Sequence, residues 1–286
     1  MAIQLVDIHP HIVSTDVERY PITPLEGKRS EWSKKRSVNF EEMIAAMDEA
    51  GVDRAALVHS STTYGYDASY LADSVALRPD RVTGVFSPDM MAHDAPATIR
   101  HWAIERNLKG LRLYTAGGTH EKQATWMSDP QIFPAMEEVQ AIGLPVCVSM
   151  KPAGISQAEI LFQKFPNTRF LIDHMTEPPI AEGAPYTNSQ YLFDLAKYPN
   201  VHLKLTTLNI RASHKENGSP ETFFPLLVSK FGASRIAWGS NYPSAQGSLK
   251  EMVDEAHSAL ACLSEQERAA IFAGTALSLY PILAEK

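Results

Sequence analysis

The sequence predicts an α/β protein, a single (β/α)8 barrel of the TIM type with a closing C-terminal helix, spanning residues 1–286 as one domain. Three observations predict it. Eight short apolar runs recur at 3–8, 54–59, 81–86, 108–114, 144–149, 169–173, 201–206 and 235–239. Each is bounded by turn residues, as the strands of a buried parallel sheet are. Helical patterns lie between the runs, and strand alternating with helix eight times over favours a closed barrel over an open sheet. The connections, finally, are lopsided: those entering the runs are short and plain, and several of those leaving them are long and rich in polar groups.

Each element carries its own signal. The clearest helix starts at Asn39, whose side chain can cap while Glu42, three residues on, completes a capping box. Ile44, Met47 and Ala50 supply apolar positions near helical spacing, and Gly51 ends the helix. A last helix is expected over 265–283. The entering connections include Arg78-Pro79-Asp80, Ile142-Gly143 and Pro199-Asn200, whereas the leaving segments 115–130, 175–188 and 208–220 are long. In such barrels the loops at the C-terminal ends of the strands build the site, so this asymmetry predicts an enzyme.

Composition excludes other classes. Of 286 residues, 44% are hydrophobic and 21% charged, which rules out a disordered chain or a fibre. No apolar run reaches the length of a membrane span, and residues 1–6 lack a basic leader, so the expected location is the cytoplasm. Two cysteines, Cys147 and Cys262, make no disulfide framework and fit a reduced compartment. The net charge is −7, from 26 Lys+Arg against 33 Asp+Glu, with no basic stripe, so neither nucleic acid nor membrane is an expected partner. Homo-oligomer formation is left open.

The candidate chemistry sits at the ends of the runs. His9 and His11 lie two apart after the first, so on extended backbone both side chains face the barrel mouth. Two imidazoles so placed hold a divalent metal or donate hydrogen bonds to a substrate oxyanion. His174 ends the sixth run, and Ser240-Asn241-Tyr242-Pro243 the eighth. Arg112 and Tyr114 share a face of the fourth run, Arg112 being a carboxylate clamp by virtue of its planar fork. His59 ends the second run, and Lys204 lies on the seventh. Basic residues cluster in two leaving segments, Arg29, Lys34, Lys35 and Arg36 in one and Arg211, His214 and Lys215 in the other. Placed around the mouth, they point to a small anionic substrate.

These residues resemble the amidohydrolase superfamily, in the amidohydrolase-related branch that contains 2-pyrone-4,6-dicarboxylate lactonase and sugar-lactone hydrolases. The resemblance runs from Asp7-Ile8-His9-Pro10-His11, through Lys109-Gly110-Leu111-Arg112-Leu113-Tyr114 and Asp173-His174, to Trp238-Gly239-Ser240-Asn241-Tyr242-Pro243 and the tail Ile271-Phe272-Ala273-Gly274-Thr275-Ala276. It implies a hydrolase opening a carboxylated or sugar-acid lactone at the C-terminal mouth. His9, His11, His174 and Asn241 are then the catalytic set, and Arg112, Tyr114, His59 and Lys204 the substrate contacts. Metal-dependent members add a histidine at the end of strand five and an aspartate at the end of strand eight. Here Ser149-Met150-Lys151 and Asn241 stand instead. The expectation is therefore no metal, with His9, His11 and His174 as the holders of a single divalent ion such as zinc if one is bound.

Without a metal, the three histidines would serve as donors to the carbonyl oxygen, and Asn241 would orient a water or a substrate hydroxyl. The base is then His174 or a loop carboxylate among Asp89, Glu177 and Glu182. The competing readings are a lactone isomerase, a decarboxylase on the same scaffold, or a binding protein whose catalytic acid was lost at Asn241.

Overall fold

The computed structural model describes residues 3–284 of the chain. Eight parallel strands form one sheet in sequence order: β1 Val6–Asp7, β2 Arg54–Val58, β3 Val82–Phe86, β4 Gly110–Tyr114, β5 Val146–Ser149, β6 Phe170–Ile172, β7 Val201–Thr206 and β8 Ile236–Gly239. The Ile8 N–H donates to the Trp238 carbonyl at 3.3 Å and draws β1 against β8. Gly239 makes that approach possible, since a Cβ there would lie 2.7 Å from the Cβ of His9. The architecture is the expected (β/α)8 barrel. Among the described residues no helix is long and apolar enough to cross a membrane.

Strand alternation sorts the side chains into two layers. Leu111, Leu113, Val146, Val148, Leu203 and Leu205 face the surrounding helices. Val6, Ala56, Val85, Cys147, Leu171 and Ala237 face inward and form a second cluster with Leu279, Tyr280 and Leu283 of the C-terminal segment. That segment therefore plugs the N-terminal end of the barrel. Gly110 makes room for it, because a Cβ there would meet the Tyr280 ring at 2.9 Å.

The Asn39 cap holds as expected. Its side chain accepts from the Glu42 N–H at 2.9 Å, Glu42 returns the bond to the Asn39 N–H at 2.7 Å, and the helix Phe40–Ala50 ends on Gly51 at φ 71°. Two boundaries move furthest. The first strand pairs with β2 only over Val6–Asp7, because the Leu5 N–H is taken by the Asp53 carboxylate at 2.9 Å. The last helix runs as Glu265–Ala269, a π-turn over Ala270–Gly274, and Thr275–Leu279. It stops before Pro281, whose ring disfavours helical backbone at Tyr280, and Pro281–Leu283 form a separate turn.

Candidate active site

A cleft of ≈ 220 Å³ opens at the C-terminal ends of the strands. It is lined by His9, His11, His59, Arg112, Tyr114, His174 and Asn241, seven of the eight residues singled out from the sequence. Lys204, the eighth, does not line it.

Asp7 pins the base of the cleft. Its Oδ1 accepts from the Ser240 N–H at 2.8 Å and the His9 N–H at 3.0 Å, tying the end of β1 to the end of β8. Burial pushes the Asp7 carboxyl up from its ordinary range against those bonds. Beneath His9 lies an ionic cluster. Asp173 Oδ2 accepts from Arg112 Nε at 2.7 Å, and Asp173 Oδ1 lies 3.2 Å from Lys204 Nζ. Burial pushes the Asp173 carboxyl up, but Lys204 and Arg112 outweigh it and hold it at about 2. Two cations thus face the Asp173 carboxylate. Lys204 is 0% exposed, so it supports the floor instead of touching substrate, contrary to the sequence expectation. Arg112 keeps its Nη edge free of hydrogen bonds among the described residues and rests on the Tyr114 ring at 5.0 Å. A guanidinium held through Nε alone still offers a fork to a carboxylate.

Hydrogen-bond partners assign the proton on each imidazole. His11 Nδ1 lies 2.9 Å from the Val58 carbonyl, which only accepts, so Nδ1 carries the proton and Nε2 is bare. His59 Nε2 donates to the Gly65 carbonyl at 2.9 Å, leaving Nδ1 bare. His174 is held by a relay. The Asn209 amide donates to the His174 carbonyl at 2.8 Å, which leaves Asn209 Oδ1 to accept from the Thr206 hydroxyl at 3.1 Å. The Thr206 oxygen, 2.8 Å from His174 Nδ1, then accepts in turn, and His174 Nε2 is bare. His9 is the opposite case. Its Nδ1 faces the Lys204 ammonium at 3.2 Å, a group that only donates, so the proton sits on Nε2. That Nε2 is buried without a partner.

The three histidines were expected as donors, with His174 also a candidate base. The geometry instead gives His9 a donor and His11 and His174 lone pairs, with the His9 and His174 rings 4.7 Å apart. All are kept neutral. Burial and the Lys204 charge drive His9 well below the usual imidazole range. Burial, aided by Arg112, lowers His11 to about 3. Burial lowers His59 to about 4, and His174 to about 4 despite the Asp173 charge.

Backbone strain positions two of the groups. His174, Met175, Thr176 and Glu177 all take positive φ, between 52° and 60°, a left-handed turn without a glycine in it. Asn241 sits at φ 61°, where asparagine is among the better-tolerated residues, and its side-chain amide has no hydrogen bond among the described residues. Of the loop carboxylates, Glu177 alone lines the cleft; Asp89 caps Met91, and Glu182 binds Asn188.

The basic segments divide. Lys34 and Lys35 pair with Glu31, and Arg211 with Glu255, so their charge is spent locally. Arg29 and Arg36 are held by neutral groups, the Ser33 carbonyl and the Pro243 and Ser244 carbonyls. The sequence reading missed Trp32, whose ring lies 5.2 Å from that of His11; a lone aromatic within a charged run was its signal. It also quoted Asp173 beside His174 without giving it a role.

Fold and site together define a class: a barrel enzyme with a histidine-rich pocket, built over a buried ionic cluster, at its C-terminal mouth. A family model described as amidohydrolase matches residues 6–282. L-fucono-1,5-lactonase of Burkholderia ambifaria is 30% identical over 210 residues, covering 73% of this chain and 71% of that protein. A candidate 2-pyrone-4,6-dicarboxylic acid hydrolase from Pseudomonas putida superposes with a TM-score of 0.78 at 20% identity over 100% of both chains. An amidohydrolase from Burkholderia multivorans, with bound zinc, gives 0.76 at 17% identity over 97% of this chain and 99% of that one. The chain belongs to the amidohydrolase family, and it is a hydrolase.

The zinc in that neighbour poses a test that the residues here do not meet. To ligate through Nε2, His9 would have to move its proton to Nδ1, against the Lys204 ammonium. A dication would also sit close to the Arg112 and Lys204 charges, beside a neutral Asn241 and without a histidine at the end of β5. Among the described residues no group of three or more His, Cys, Asp or Glu side chains is arranged to hold a metal ion.

Proposed function

We propose that the protein hydrolyses a lactone of a small carboxylated or sugar acid, using its own side chains. The observation that carries this reading is a His9 ring with its proton on Nε2 and a His174 ring with a bare Nε2, 4.7 Å apart in one cleft beside Arg112. The substrate's carboxylate would meet the free Nη edge of Arg112, with Arg29 and Arg36 favouring its approach. As a water attacks the lactone carbonyl carbon, His174 Nε2 takes its proton, and the charge forming on the carbonyl oxygen falls to His9 Nε2–H. Collapse breaks the ring C–O bond, and His174 returns the proton to the departing ring oxygen. The product is the open hydroxy acid. Asn241 orients the water or a ring hydroxyl by its amide.

A bare His174 held at about 4 is a weak base in the empty cleft. An anionic substrate opposes the Arg112 and Lys204 charges that lower it, so binding itself strengthens the base. The names of the relatives support the lactone class. The zinc-bound neighbour supports a divalent ion in this architecture, and the donor set here supports a site that works without one. The expected cytoplasmic location is tested by fractionation.

The deciding experiment is a panel of sugar-1,5-lactones and pyrone carboxylates followed by pH-stat, for the protein before and after chelation. Ring opening that survives chelation is expected, with His174→Gln lowering kcat about 10²–10⁴-fold at little cost in KM. Failure to open any lactone, or recovery only with added zinc, overturns the reading.

A further inference from the structure

Lys204 has no role in the steps above, yet it is the most deeply buried cation among the described residues. It projects from β7 into the barrel interior at 0% exposure, with its Nζ 3.2 Å from His9 Nδ1 and 3.2 Å from Asp173 Oδ1. Burying an ammonium is costly unless it is paired, and here one carboxylate already serves Arg112 through its other oxygen. A cation kept under such conditions does more than fill space. We propose that Lys204 is a positioning residue that acts as a built-in cation: its ammonium, set between His9 and Asp173, locks the His9 proton onto Nε2 and keeps divalent metal out of the cleft.

The argument rests on donor and acceptor counting. An ammonium presents three donors and no acceptor, so the nitrogen facing it must be a lone pair. Asp173 Oδ1 lies 3.6 Å from the same His9 nitrogen, too far to accept its proton while Lys204 stands closer. Take the ammonium away and the Asp173 carboxylate becomes the nearest polar partner of His9 Nδ1. The proton then moves to Nδ1, toward Asp173, and Nε2 is left bare beside the bare Nε2 of His11 and His174. A carboxylate–histidine pair of that kind is the arrangement that orients a metal-ligating imidazole. One side chain therefore decides whether this pocket presents a proton to an oxyanion or lone pairs to a metal.

This inference rests on the hydrolase reading for its catalytic meaning, but its principal readouts do not. Long-range ¹⁵N–¹H correlation spectra of histidine-labelled protein report the tautomer, with the His9 signal assigned by its loss in His9→Asn. In the wild type the expected form is Nε2–H. Lys204→Met is expected to convert His9 to Nδ1–H and to raise zinc affinity at least tenfold, measured by metal content after dialysis against a competing chelator. Lys204→Arg, which keeps a donor-only cation, is expected to retain Nε2–H and the low zinc affinity. If a lactone is turned over, Lys204→Met loses about 10²–10³-fold in kcat with KM changed only a few-fold, and Lys204→Arg recovers part of it. An Nδ1–H tautomer in the wild type overturns the proposal, and that measurement needs no variant to fold. So does a folded Lys204→Met protein that keeps Nε2–H or gains no zinc affinity. If the tautomer and zinc results hold while no lactone is opened, the lactone reading fails and the role of Lys204 stands.

Discussion

The two ends of this barrel are built from the same strands and do opposite work. At the N-terminal end, Val6, Ala56, Leu171 and Ala237 close around Tyr280 and Leu283, and the interior is apolar. At the C-terminal end, the same strands present His9, Arg112, Asp173 and Asn241, and the interior is polar and charged. The boundary is a single layer. Cys147 Sγ lies 3.6 Å from the Tyr280 hydroxyl below, and the Lys204 charge acts on it from above. The plugged end is thus held by apolar packing, and the open end carries groups held neutral or paired against their intrinsic preference.

Acid should break this contrast most strongly. His11, held at about 3, and His59 and His174, at about 4, lie below the ordinary imidazole value of 6.5. Between those values the unfolded chain binds protons that the folded one refuses, so stability is full above about 6.5 and is lost as pH falls toward 4. Each histidine contributes about 1.4 kcal/mol per pH unit in the steepest part of that window. His202, near the plugged end and also held at about 4, adds to the loss. Thermal unfolding from pH 7.5 to 4.5 should show a steadily falling Tm; a flat profile would contradict the neutral, buried assignment.

Next in size is the ionic floor. Asp173→Asn strips the carboxylate from Lys204 and Arg112 and leaves two like charges together in the interior. A loss of about 3–5 kcal/mol in urea unfolding is expected, together with the activity. A stable Asp173→Asn protein would mean that the floor is not held by charge. The smallest effect belongs to the plugged end. Gly110→Ala places a methyl 2.9 Å from the Tyr280 ring and Val85, so it should cost about 1–3 kcal/mol while leaving kcat unchanged. A fall in kcat without loss of stability would show that the two ends are not independent.

How much of this was legible follows from what each residue type signals. The strands were, because parallel strands buried on both faces must be apolar and each run here is bounded by turn residues. The helix at Asn39 was, because a capping box is local chemistry. Seven of the cleft residues were, since a polar side chain at a strand end has one place to point. Lys204 was not. A lysine late in a strand looks the same whether it reaches solvent or stays in the barrel, and only the pairing with Asp173, 31 positions earlier, keeps it inside. The protonation pattern was equally closed, because it depends on carbonyls of Val58 and Gly65 that carry no sequence identity. The charge of Arg211 was misplaced for a similar reason: its partner Glu255 lies 44 residues away.

The left-handed turn at His174–Glu177 has a consequence for how the protein can change. Each non-glycine residue there costs about 1–2 kcal/mol relative to an ordinary backbone conformation, a debt that glycine would cancel. Glu177 is exposed, so its replacement by glycine offends no packing. Selection for heat tolerance alone would therefore be drawn to this stretch first. It would find easy gains there, and each would slacken the tether that aims an imidazole.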